Sequence, residues 1–154
     1  MIWGGLLIMI VSETATLLRI EPFWSWNTPI AWTGFILFAD AVVFRARGDS
    51  WMRSAPREFA MLALASIPLW LVFEAYNLVI RNWYYTGLPE NFWLRQFGFA
   101  WAFGTIWPAI FEGAELFAVV RSDPPDLPDP PDLPDPPDLP DLPDLPDPPD
   151  PFVL

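Results

Sequence analysis

Residues 59–80 read FAMLALASIPLWLVFEAYNLVI. At ~1.5 Å of rise per residue a helix of this length is enough to cross a ~30 Å hydrocarbon core, and Glu74 is its one charged side chain. Pro68 sits inside the run, where it predicts a kink rather than an end. A second run of the same kind follows at 96–120, with Pro108 in the corresponding role. These two stretches predict an all-α, polytopic transmembrane helix bundle. Two weaker runs precede them. At 29–44, Pro29 suits a first helical turn after Asn27 and Thr28, and Arg45-Ala46-Arg47-Gly48 closes the span. At 2–20 the apolar pattern is diluted by Ser12, Glu13, Thr14 and Thr16, and Glu21-Pro22 ends it. The rival for this first run is a cleaved signal peptide, but the basic start and small-residue cleavage site are missing, so a retained helix is expected. Phe23, Trp24 and Trp26 behind it read as an interfacial belt. The expectation is therefore four spans, at about 2–20, 29–44, 59–80 and 96–120, in a domain of residues 1–122.

The tail is a different polymer. From Asp123 to Asp150 an aspartate recurs every third residue, separated by Pro or Leu and then Pro. It has no glycine for a collagen helix and too little apolar content for a core, so a disordered, polyproline-like appendage at 123–154 is expected. A docking arm or a repeat that has replaced another C-terminus are the alternatives. The tail also explains the net charge of −11: ten of the nineteen acids lie in it, while the first 122 residues hold nine acids against eight arginines. Arg45, Arg47, Arg53 and Arg57 cluster between the second and third runs, which places that loop in the cytoplasm by the positive-inside rule. Both termini then face the cytoplasm across a bacterial inner membrane, with the lipid bilayer as the principal partner.

Cysteine and histidine are both absent. That excludes disulfides, thiolate or histidine metal sites, cysteine nucleophiles and a Ser-His-Asp triad, and neither cofactor nor metal is expected. The arginine cluster is a topology signal, so nucleic-acid binding is not expected. What remains is carboxyl chemistry inside the bilayer. Glu13, Asp40, Glu74, Glu112 and Glu115 lie in or near the spans. On a helix Glu74, Asn77 and Arg81 fall at i, i+3 and i+7, and Glu112 and Glu115 at i and i+3, so each set shares a face. Intramembrane acids are expensive unless they face protein, water or a ligand. Interhelical hydrogen bonding by neutral carboxyls is the structural alternative, and most of the ten Trp and thirteen Phe are lipid contacts and belts.

The stretch after Phe73-Glu74, through Trp83-Tyr84-Tyr85 to Gly87-Leu88-Pro89-Glu90, resembles the membrane domains of bacterial and fungal lycopene cyclases. Those pair an intramembrane Asp with a downstream Trp-x-aromatic segment and a Pro-x-Glu-Glu turn. Here Glu replaces the Asp, Glu90 follows Pro89 directly, and Asn91 stands at the second acid. The wider chain resembles bacterial polytopic membrane proteins, which implies no activity. The cyclase resemblance implies acid-base chemistry on a lipophilic, isoprenoid-like small molecule. Glu74 or Glu90 would be the acid and Glu112 or Glu115 the counter-ion and base. Trp70, Trp101 or Trp107 would offer a π face to a carbocation, with Trp83, Asn77 and Arg81 as further substrate contacts. A proton-coupled carrier subunit, acting as a homo- or hetero-oligomer, and a non-catalytic membrane scaffold are the other expectations.

Overall fold

The computed structural model describes residues 1–121, which are helical with no strand. Helix α1 covers Ile2–Leu17, α2 Phe23–Arg47, α3 Trp51–Ser54, α4 Pro56–Ile80 and α5 Phe92–Arg121. The repeat tail expected at 123–154 lies outside the described residues.

Three of these helices, α2, α4 and α5, are long and apolar enough to cross a membrane. Helix α1, expected at 2–20, is shorter than these three: it has 16 residues and ends at Leu17. The chain stops early through a Schellman turn: Arg19 takes a left-handed conformation at φ 55°, Arg19 N–H bonds Thr16 O, and Ile20 N–H bonds Ala15 O. The polar residues that dilute the α1 pattern hold it to α2. Thr16 donates to Phe23 O at 3.0 Å, Ser12 to Asn27 Oδ1 at 3.3 Å, and Asn27 Nδ2 to Glu13 Oε2 at 3.4 Å.

Helix α2 begins six residues before the expected position, but Trp26 has non-helical backbone (φ −124°, ψ 29°). Pro29 therefore sits in the first turn after that break, as its fixed φ and missing N–H favour. Helix α4 starts three residues before the expected 59, with Pro56 in its first turn, and α5 starts four before the expected 96. Both run through their internal prolines.

The helices form a row in the order α1, α2, α5, α4. Helix α1 is antiparallel to α2, with Gly5 against Gly34 and Phe38 and Thr16 against Phe23. Helix α2 is parallel to α5, with Trp26 near Phe97 and Arg47 paired to Glu115. Helix α4 is antiparallel to α5 and lies at the edge, where Ser66 is its one buried residue. Helix α3 closes the arginine-bearing end. Trp51 packs edge-on against Phe59 and Phe111, and Arg53 lies over the Phe44 ring.

Ser66 locks α4 to α5. Its hydroxyl donates to Phe103 O and accepts Trp107 N–H at 3.2 Å, the two groups that pair with each other in a regular helix. The insertion stands one residue before Pro108, where Gly104 O has lost its donor. Ser66→Ala is expected to cost about 1 kcal/mol of bundle stability, as an interhelical hydrogen bond of this kind does; reversible unfolding in mixed micelles checks it.

Candidate functional site

The last three turns of α4 carry Trp70, Glu74 and Asn77, and the chain then folds back on them. Arg81 ends the helix in a left-handed conformation (φ 50°), with its N–H on Asn77 O. Asn77 holds the reversal with its side chain. Its Oδ1 accepts Asn82 N–H at 2.9 Å and Trp83 N–H at 3.1 Å, and its Nδ2 donates to Trp83 O at 2.8 Å. An asparagine suits this position because its amide presents a donor and an acceptor together.

The reversal brings two more aromatic side chains onto Glu74. Its Oε1 accepts Trp70 Nε1–H at 2.9 Å, Trp83 Nε1–H at 3.3 Å and the Tyr85 hydroxyl. All three donors meet one oxygen, so the carboxylate is fixed in orientation while Oε2 keeps its lone pairs. Trp70 stacks on Phe73 at 5.2 Å and lies 6.3 Å from Phe103; Tyr85 meets the Phe99 edge at 5.2 Å.

Two cavities adjoin this cluster. The larger, about 460 Å³, is bounded by Trp24, Trp26 and Trp32 of α2, Trp70, the connection through Tyr85, Leu88 and Pro89, and Phe99, Phe103 and Ile106 of α5. No carboxylate lines it; Ser25, Asn27, Thr28, Thr86 and Arg95 are its polar wall. The smaller, about 290 Å³, is lined by Glu74, Tyr85, Gln96, Phe99 and Phe103 among others. Tyr85, Phe99 and Phe103 border both, so the phenol stands between the carboxylate and the aromatic cavity. Gly87 (φ 68°) seats the connection on Trp24, since a Cβ there would lie 2.9 Å from the indole nitrogen. The volume is in the range that takes a small apolar ligand.

Burial pushes the Tyr85 phenol above its ordinary value of 10.0, and its hydrogen bond to Glu74 and that residue's charge push it further in the same direction. The folded chain therefore holds this proton more tightly than the unfolded chain does. The associated stability is complete below pH 10.0 and is lost as the pH rises through the folded midpoint. The tyrosinate absorbance component that Tyr85→Phe removes is expected to titrate above 10.0, and to move down in Glu74→Gln. A midpoint unmoved by Glu74→Gln contradicts the pairing.

Trp70, Glu74 and Trp83, all expected at the site, are brought together. Asn77 stands beside them but its amide is engaged on backbone. Arg81 and Glu90 are exposed on the connection and line neither cavity. Trp101 faces α2, where its Nε1–H bonds Thr33 Oγ1 at 3.1 Å and its ring borders a separate apolar cavity of about 440 Å³ against α1. Glu112 is buried on α5 and Glu115 pairs with Arg47. Glu74 lies level with Ala100, twelve residues before Glu112 and ~18 Å from it along α5, so the acid and the expected base do not share a site. Tyr85 is the functional candidate that sequence reasoning passed over. Its signal was a hydroxyl within Trp83-Tyr84-Tyr85, and only the Asn77 reversal shows which tyrosine turns back. Among the described residues no group of three or more acids could hold a metal ion. Against protein-family models, curated protein sequences and solved structures, the chain gives no match.

Proposed function

We propose that this chain is an integral membrane protein whose aromatic cavity receives a lipophilic, isoprenoid-like molecule and whose Glu74–Tyr85 pair carries out acid-base chemistry on it. The observation that carries the reading is the convergence of three donors on Glu74 Oε1 beside an aromatic-walled cavity. The resemblance of residues 73–90 to lycopene cyclases gives the reaction class. Cyclisation of a polyene end is an isomerisation: a proton adds to a terminal alkene, the ring closes on the carbocation, and a proton leaves another carbon. No oxidant is consumed, and one acid that takes back its proton closes the cycle. The Trp and Phe faces stabilise the cation during its lifetime. Glu74 is the carboxyl that gives and recovers the proton, and Tyr85 is the cavity-wall group through which it passes.

Residence in a bacterial inner membrane, with the arginine-bearing end and both termini in the cytoplasm, completes the proposal. It is supported by the arginine distribution and by Met1 Sδ lying 3.3 Å from Arg53 Nη2, which puts the N-terminus at the same end. The test is expression of residues 1–154 and 1–122 in a lycopene-accumulating bacterium, with chromatography of the pigments. Cyclised carotenoid in both forms, lost in Glu74→Gln, is the expected result. Unchanged lycopene with a well-inserted protein overturns carotenoid cyclisation and leaves the carrier reading, which the buried acids Asp40 of α2 and Glu112 of α5 favour.

A further inference from the structure

Asp40 of α2 and Glu112 of α5 are each 1% exposed, the two largest side chains that the bundle encloses so completely. The parallel packing of their helices places them opposite one another. Gly113 rests on the Phe35 ring before Asp40, and Arg47 pairs with Glu115 beyond it. The charge of Asp40 reaches Glu112. Asp40 Oδ1 and Glu112 Oε1 are both enclosed without a hydrogen-bond partner among the described residues. Arg53 of α3 approaches Asp40 Oδ2 at 3.8 Å, while Arg47 is engaged by Glu115. No charged side chain of α1 or α4 makes an ion pair with either carboxyl.

One guanidinium against two enclosed carboxylates leaves a charge uncompensated and two acceptor oxygens without donors. Both are costly inside a protein. We propose that Asp40 and Glu112 form a proton-binding site, holding one proton between them as an O–H···O bond across the α2–α5 interface. A single proton removes the surplus charge and satisfies both unpartnered oxygens in one contact, one becoming donor and the other remaining acceptor. The pair lies seven residues, ~10 Å along α2, inside Arg47, so it exchanges with the arginine-bearing end. On that side the turn into α3 carries Ser50, 4% exposed and with its own hydroxyl unpartnered. The site is separate from Glu74 and does not depend on the function proposed above.

Infrared spectroscopy of the full chain in lipid tests it. At neutral pH the wild type is expected to show the carbonyl stretch of one protonated carboxyl that survives in Glu74→Gln and Glu13→Gln and is lost in both Glu112→Gln and Asp40→Asn. Absence of such a band in the wild type, or its persistence in both pair variants, overturns the proposal. Should the pair variants fail to insert, alkaline titration of the wild type at varied sodium concentration decides. Loss of the band at a pH independent of sodium supports a proton, and a sodium-dependent midpoint overturns it in favour of a metal cation.

Discussion

Gly5→Val is expected to separate α1 from α2 at a cost of about 3 kcal/mol, at the upper end of what overpacking usually costs. A Cβ at position 5 would stand 2.6 Å from Gly34 O, 2.6 Å from Phe38 N and 2.9 Å from Phe38 Cα. All three are backbone atoms, so no side chain can rotate out of the way and the helices themselves must part. Close approach through small residues is what drives helix association where burial from water does not, so the loss extends along the whole pair. The neighbouring Gly4 is the control: nothing lies within 4 Å of a Cβ there, and Gly4→Val should leave stability within about 0.5 kcal/mol. Cysteine cross-linking between α1 and α2, with unfolding in mixed micelles, distinguishes the two. Equal behaviour of the variants contradicts the crossing described here.

At Glu74 the expected result is a split between two substitutions. Glu74→Ala removes the acceptor of Trp70, Trp83 and Tyr85 together and should cost about 1–2 kcal/mol, since two of the three donors are half-buried and water recovers part of the loss. It also frees the connection from the cavity mouth. Glu74→Gln keeps an oxygen where Oε1 stood and should hold the fold to within about 0.5 kcal/mol. It cannot exchange a proton, so the chemistry proposed for the site should fall below detection. Pigment analysis beside an unfolding measurement reads both. A Gln variant that is as unstable as the Ala variant would mean the carboxylate serves structure, and an active Gln variant would remove Glu74 from the proton step.

The long apolar runs were legible because their signal is summed over many residues: 59–80 and 96–120 reappear with their starts three and four residues earlier. The first run was overestimated for a specific reason. Arg19 in a left-handed turn is a tertiary choice that no local preference of arginine announces, and it ends α1 at Leu17. The helix faces were partly legible. Trp70 and Glu74 follow from spacing by four, whereas Trp83 and Tyr85 reach Glu74 only because Asn77 binds backbone six residues on. Reading Asn77 by its helix face suggested a ligand contact; its amide is spent on the chain reversal instead. Gly4 and Gly5 are indistinguishable as residues, and only the register of α1 on α2 assigns one of them to the crossing. Glu112 and Glu74 both register as intramembrane acids, but antiparallel α4 and α5 hold them ~18 Å apart.

The row order of the helices also sets an order of events during synthesis. Helices α1 and α2 are neighbours in both chain and space and can pair as soon as both exist. Helix α4 cannot, because its partner α5 is made last. If α4 crosses a bilayer, as its length and composition allow, it has to reside alone among lipid tails until translation is nearly over. It is the most apolar of the three long helices and the least enclosed; its Glu74 is met by Trp70, Trp83 and Tyr85, all made before α5, and Ser66 is the polar group whose partners lie on α5. A hydroxyl can meanwhile satisfy itself on its own helix, as a carboxylate in mid-membrane could not. The lateness of α5 thus selects for a waiting segment whose acid is satisfied within its own stretch of chain, and for a lock that costs little until its key arrives.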